Sequence, residues 1–188
     1  GEQLTETILA HRKISKKEAR LQAARLLQKV GIAEPEKRLA EYPFQFSGGM
    51  CQRVMIAMAL TLSPDVLIAD EPTTALDVTI QAQILKLIKD LQKESGMSAV
   101  FITHNLAVVA GIADDVLVLY AGECMEYAPA VELFKNPLHP YTQGLLKSLA
   151  SVHNKADILP VIKGHPPVPG EKITGCPFAP RCPHAFDK

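Results

Sequence analysis

The sequence predicts an α/β protein: a partial parallel-sheet core, a helical subdomain before it and an extended Pro-rich tail after it. Three observations carry that prediction. Helical spacing dominates the first third, short apolar runs alternate with helical patterns through the middle, and seven of the fourteen prolines fall between Pro160 and Pro183. The expected divisions are a helical subdomain over 1–63, a partial parallel-sheet core over 64–128, and a helical, Pro/Cys-rich extension over 129–188. With 188 residues the chain has room for one domain and a small appendage. Apolar residues are 47% and charged residues 21%, and 20 basic side chains balance 20 acidic ones. That balance suits a globular chain and gives no basic field for nucleic acid. No apolar run approaches the ~20 residues of a membrane span.

In the first region Ser15-Lys16-Lys17-Glu18 has the spacing of a capping box, in which Ser15 and Glu18 satisfy each other's backbone N–H groups. Ala19, Ala23, Leu26, Leu27 and Val30 follow at helical spacing, and Gly31 supplies the stop. A second helix is expected after Ser47-Gly48-Gly49, running through Leu60 toward Pro64. Ser47 is a good cap, and two glycines let backbone N–H groups approach an anion at the positive end of the helix dipole. In isolation the same pattern reads as a plain capped helix start.

In the middle, Val66-Leu67-Ile68-Ala69, Ala99-Val100-Phe101-Ile102 and Val116-Leu117-Val118-Leu119 read as buried strands. Helical patterns at about 79–95, stopped by Gly96, and at 105–113 separate them. Apolar strands alternating with helices imply a parallel sheet covered on both faces. The first strand ends in Asp70-Glu71-Pro72, at the strand edge where such sheets bind ligands. Two adjacent carboxylates there suit nucleotide hydrolysis: Asp70 to hold Mg²⁺, Glu71 to orient and deprotonate water. The competing reading is a solvated strand end before a turn. His104 ends the second run, where an imidazole can hydrogen-bond a γ-phosphate. Ala121-Gly122 reads as a turn into a last short strand near Cys124 to Tyr127. The proline-dense tail reads as an extended segment laid over the domain or leading to a further one.

Taken in order, these pieces resemble the ABC-transporter ATPase family. Phe46-Ser47-Gly48-Gly49-Met50 with Gln52-Arg53 resembles its signature motif, and Val66 to Asp70 its Walker B strand. Glu71 corresponds to the catalytic glutamate, Thr74-Ala75-Leu76-Asp77 to the D-loop and His104 to the switch histidine. Met50, Ala57-Met58-Ala59-Leu60, Asn136-Pro137-Leu138-His139-Pro140-Tyr141-Thr142 and Gly175-Cys176 to Cys182-Pro183 resemble the oligopeptide/dipeptide importer branch, with nickel importers close by. Cys51 and Asn105 stand where that branch usually has Arg and Asp.

The resemblance implies a RecA-like ATPase core and head-to-tail pairs of ATPase subunits, identical or not. Ser47, Gly48, Gly49 and Met50 would serve ATP held by the partner, Asp77 would couple the two half-sites, and Asp70, Glu71 and His104 would serve the chain's own ATP. It also implies membrane permease subunits and an extracytoplasmic solute-binding protein as partners, and a peripheral place on the cytoplasmic face of the membrane. No Gly-x-x-x-x-Gly-Lys-Ser/Thr occurs among the 188 residues. The family places that P-loop and its Q-loop upstream of a stretch like Gly1-Glu2-Gln3. The expectation is therefore a subunit lacking its front part and inactive toward ATP by itself. A non-catalytic interaction module is the rival reading, and a soluble DNA-repair or translation ATPase fits the tail poorly. Cys51 and Cys124 read as neutral thiols. Cys176 and Cys182 resemble the start of a cysteine cluster that holds a 4Fe–4S centre in the intact subunit; two thiolates cannot complete one, and His184 reads as a surface histidine.

Overall fold

The computed structural model describes residues 1–74, 76–153, 161–168, 170 and 173–186. The chain divides into two compact units, Gly1–Thr103 and His104–Lys188. The first contains α1 (Glu2–His11), α2 (Lys16–Lys29), α3 (Pro35–Arg38), α4 (Gly48–Ala59), β1 (Val66–Asp70), α5 (Val78–Ser95) and β2 (Ser98–Ile102). The capping box at the start of α2 is present: the Ser15 N–H donates to Glu18 Oε2 at 2.9 Å, and the Glu18 N–H donates to Ser15 Oγ at 3.2 Å. Gly31 and Gly96 follow α2 and α5 with φ of 78° and 72°, a backbone that glycine adopts without strain. Helix α4 begins at Gly48, two residues earlier than expected, so both glycines lie inside its first turn.

One apolar cluster holds this unit together. Leu4 and Ile8 of α1, Ala19, Ala23 and Leu27 of α2 and Val30 just after it join Ile56 and Ala57 of α4, Leu67 of β1, and Ile84, Ile88 and Leu91 of α5. Strands β1 and β2 run parallel, with Val66 opposite Ser98 and Asp70 opposite Ile102. The expectation is a sheet covered on both faces; among the described residues of this chain one face of the strand pair is covered. Leu67 and Ala69 are buried, but Val66, Ile68, Val100 and Ile102 on the opposite face are 48–67% exposed. Helix α5, the connection between the strands, adds its apolar stripe to the cluster that holds Leu67, and strand alternation turns every second side chain away from it.

The second unit contains α6 (Leu106–Ile112), β3 (Asp115–Tyr120), β4 (Glu123–Pro129), α7 (Ala130–Lys135) and α8 (Pro140–His153). The third apolar run, β3, pairs antiparallel with β4. The two-residue connection accounts for that antiparallel pairing. Ala121 and Gly122 have φ of 51° and 81°, the paired left-handed geometry of a tight hairpin turn, which joins antiparallel strands only. Val116, Val118, Ala130 and Leu133 form this unit's core, with Tyr141, Leu145 and Leu146 of α8 packed on it.

Candidate functional site

The residues that carry the sequence signals sit at the ends of elements in the first unit. Ser47 caps α4 from an extended backbone, its Oγ accepting the Met50 N–H at 3.3 Å. The first intrahelical bond runs from the Cys51 N–H to the Ser47 carbonyl at 2.9 Å. The Gly48 and Gly49 amides therefore precede the helical ladder, at the positive end of the helix dipole, where an anion is stabilised. Met50 is half-buried against the core. Behind this opening, Arg53 donates to the Val30 carbonyl at 2.8 Å and to Gln83 Oε1 at 3.2 Å. It thus fastens α4 to the end of α2 and to the side of α5, a role that sequence spacing does not disclose.

Asp70 closes β1 with an exposed carboxylate. Glu71 follows in a left-handed backbone, φ 46°, which carries strain in a residue with a Cβ. Three bonds hold it there. Its N–H donates to the Ile102 carbonyl at the end of β2 at 2.9 Å, the Thr74 N–H donates to its carbonyl at 3.2 Å, and the Thr74 hydroxyl donates to Oε2 at 2.8 Å. Asp77 caps α5, with Oδ1 accepting the Ile80 N–H at 2.9 Å. Ala75 lies outside the described residues.

The openings of α4 and α5 come together. A Cβ built on Gly48 would lie 3.7 Å from Leu76 Cδ2, an ordinary contact, whereas one on Gly49 would lie 2.8 Å from Ile80 Cγ2. The structure therefore joins Ser47, Gly48 and Gly49 to the helix that Asp77 caps. His104 is the exposed first residue of the second unit, next to Asn105, which caps α6 through the Ala107 and Val108 N–H groups.

In the second unit the tail is docked by side chains that its proline content conceals. Phe178 is 1% exposed and meets the rings of Tyr120 at 5.4 Å, Tyr141 at 5.3 Å and His139 at 5.8 Å. Arg181 donates to the Tyr120 hydroxyl at 3.1 Å and to the Lys163 and Ile162 carbonyls at 2.9 Å each. Glu126 of β4 accepts the Leu138 N–H at 2.8 Å and the His139 N–H at 3.0 Å, ordering the Asn136–Thr142 stretch. Burial alone would raise the Glu126 pKa, but these two donors, the positive potential of His139 and the nearby Thr142 hydroxyl together hold it below the usual carboxylate range. The Thr142 hydroxyl acts there without reaching hydrogen-bonding geometry.

The donor chemistry separates two metal expectations. Asp70 offers an accessible hard oxygen at the strand edge, which fits Mg²⁺. Cys176 is exposed, and half-buried Cys182 accepts the His184 N–H at 3.4 Å. Among the described residues no group of three or more His, Cys, Asp or Glu side chains gathers, so the residues present do not fit a 4Fe–4S cluster, which needs four ligands. No helix among the described residues is long and apolar enough to cross a membrane.

Comparison with known proteins gives consistent matches along the chain. Residues 2–74 match the family described as ABC transporter, and residues 125–188 match the oligopeptide/dipeptide transporter C-terminal region. The oligopeptide transport ATP-binding protein AppD of Bacillus subtilis is 54% identical over all of this chain and 57% of its own length. The oligopeptide transport ATP-binding protein OppD of Escherichia coli is 51% identical over all of this chain and 56% of its own. The dipeptide transport ATP-binding protein DppD of Bacillus subtilis is 54% identical over 98% of this chain and 55% of its own. The chain thus spans little more than half the length of these relatives. Among solved structures, the dimeric ATP-binding cassette MJ0796 in a post-hydrolysis state with ADP and phosphate has a TM-score of 0.59 at 30% identity, over 68% of this chain and 54% of that one.

Proposed function

We propose, from the premise that this chain belongs to the ABC transporter family and to its oligopeptide/dipeptide branch, that it forms part of an ATP-hydrolysing subunit driving peptide uptake. The observation that carries the reading is the end of β1, where Asp70 precedes a Glu71 clasped to β2 and to Thr74. Peptide cargo is favoured over nickel because the relatives matched are oligopeptide and dipeptide transport proteins.

In this reading Asp70 holds Mg²⁺, and the ion, when bound, neutralises phosphoryl oxygens. Glu71 takes the proton of the attacking water; its clasp fixes the carboxylate before the nucleotide arrives, so little reorganisation is needed. His104 donates a hydrogen bond to the γ-phosphate. Ser47, with the Gly48 and Gly49 amides and Met50, closes on ATP bound by a second ATPase subunit, and Asp77 links the two half-sites. Permease subunits, reached through the helical part of the first unit, and a solute-binding protein beyond them complete the transporter. The chain sits peripherally on the cytoplasmic face of the membrane.

Glu71→Gln in the assembled transporter is the test. ATP binding and subunit closure persist while turnover falls by about 10²–10⁴-fold, the usual loss on removing a general base. Turnover within a factor of about two of the parent sinks the assignment.

A further inference from the structure

We infer that Ile80, which lies outside every recognisable motif, is a positioning residue that makes the Ser47–Gly49 helix opening and the Asp77 helix opening one mechanical piece. The inference rests on the reading of Ser47 to Gly49 as a nucleotide clamp. It adds the neighbouring helix to the approach of nucleotide as a reason why Gly49 has no side chain.

The geometry is specific to one of the two glycines. A methyl at Gly48 would meet Leu76 at an ordinary 3.7 Å, but a methyl at Gly49 would meet Ile80 Cγ2 at 2.8 Å, nearer than side-chain carbons pack. That carbon cannot swing aside cheaply. It is a branch methyl at Cβ, and β-branched side chains in helices are confined to essentially one χ1 rotamer. The same residue is tied at its backbone, because its N–H donates to Asp77 Oδ1 at 2.9 Å. Ile80 therefore touches the clamp with its side chain and the D-loop cap with its main chain.

The seam continues one turn further along both helices. Arg53, four residues after Gly49, reaches Gln83, three residues after Ile80, at 3.2 Å. Neighbours at those spacings lie on one helix face, so α4 and α5 meet along a single line from their N-termini. The α4 opening cannot advance toward a phosphate without moving Ile80, and with it the carboxylate of Asp77. The contact is a coupling between two sites because both depend on one packed, stiff side chain.

Compensating substitutions test this in the assembled transporter, with MgATP turnover and thermal unfolding measured for Gly49→Ala, Ile80→Ala and the pair together. Gly49→Ala alone is expected to lower kcat by at least about tenfold. Ile80→Ala alone lowers kcat severalfold while KM for MgATP stays unchanged, a split that a general loss of folded protein does not produce. The double substitution returns kcat to within about threefold of Ile80→Ala, because the clash has been removed. If Gly49→Ala fails to fold, the double variant folds and unfolds near the midpoint of Ile80→Ala. A double variant as impaired, or as unfolded, as Gly49→Ala overturns the inference, as does a fully active Gly49→Ala. Failure of the underlying reading is separate and shows as undiminished turnover in Glu71→Gln.

Discussion

At the residue scale, charge and donor placement decide what individual side chains do. Glu126 is the clearest case, because its folded pKa lies below the ordinary value through donation from Leu138 and His139 against the opposing effect of burial. A depressed carboxylate contributes stability above its unfolded pKa and loses it as pH falls through the folded one. The second unit is therefore expected to lose thermal stability as pH drops through and below the normal glutamate range, and Glu126→Gln to flatten that dependence. Thermal unfolding followed from neutral to acid pH checks this; an unchanged slope in the variant contradicts it. Arg181 is the second case, since its three donors each meet a fixed acceptor in different directions. Lysine cannot reproduce that fork. Arg181→Lys is expected to release residues 161–168, measured as faster amide exchange there, with Phe178 protected less than in the parent.

At the element scale, the legible parts of the fold were those with local causes. The Ser15–Glu18 box and the glycines after α2 and α5 act within a few residues of themselves, so spacing along the chain discloses them. Partner choice between strands was not legible, because Val116 to Leu119 is as apolar as Val66 to Ala69 whether it pairs parallel or antiparallel. The deciding signal is Ala121-Gly122, legible in sequence as a turn although spacing alone does not give the left-handed pair that makes the strands antiparallel. Sheet coverage was hidden for a related reason: an apolar run gives the same signal when only alternate residues are buried. The structure assigns those alternate positions different weights. Leu67→Ala, removing a buried side chain, is expected to destabilise by about 2–5 kcal/mol. Ile68→Ala, at a site 67% exposed, is expected to stay within about 0.5 kcal/mol. Chemical denaturation of both variants measures the contrast, and equal losses would contradict the observed face assignment.

At the scale of the whole molecule, the candidate site was legible as positions and not as connections. Asp70, Glu71, Asp77 and Ser47 are marked in sequence by their residue types at element ends. The clasp of Glu71 by Thr74, the Arg53 bridge and the Gly49–Ile80 approach depend on how helices and strands meet, which no local pattern encodes. The residues that hold the tail, Phe178 and Arg181, lie in a cysteine- and proline-rich segment, and their aromatic and carbonyl partners lie about 20 to 60 positions away in the chain. On the proposed reading, what the 188 residues would supply toward nucleotide is a capped helix opening, a carboxylate pair and a histidine. What they do not include is a Gly-x-x-x-x-Gly-Lys-Ser/Thr loop, whose nest of N–H groups and lysine supply most of the grip on β- and γ-phosphates. A single helix opening and one carboxylate proposed to hold Mg²⁺ would make few of the contacts that micromolar nucleotide affinity, about 8 kcal/mol, demands. This 188-residue chain in isolation is therefore expected to give no saturable heat with MgATP at micromolar concentrations in isothermal titration. A micromolar dissociation constant for the isolated chain would show that the β1 edge and the α4 opening grip nucleotide without that loop.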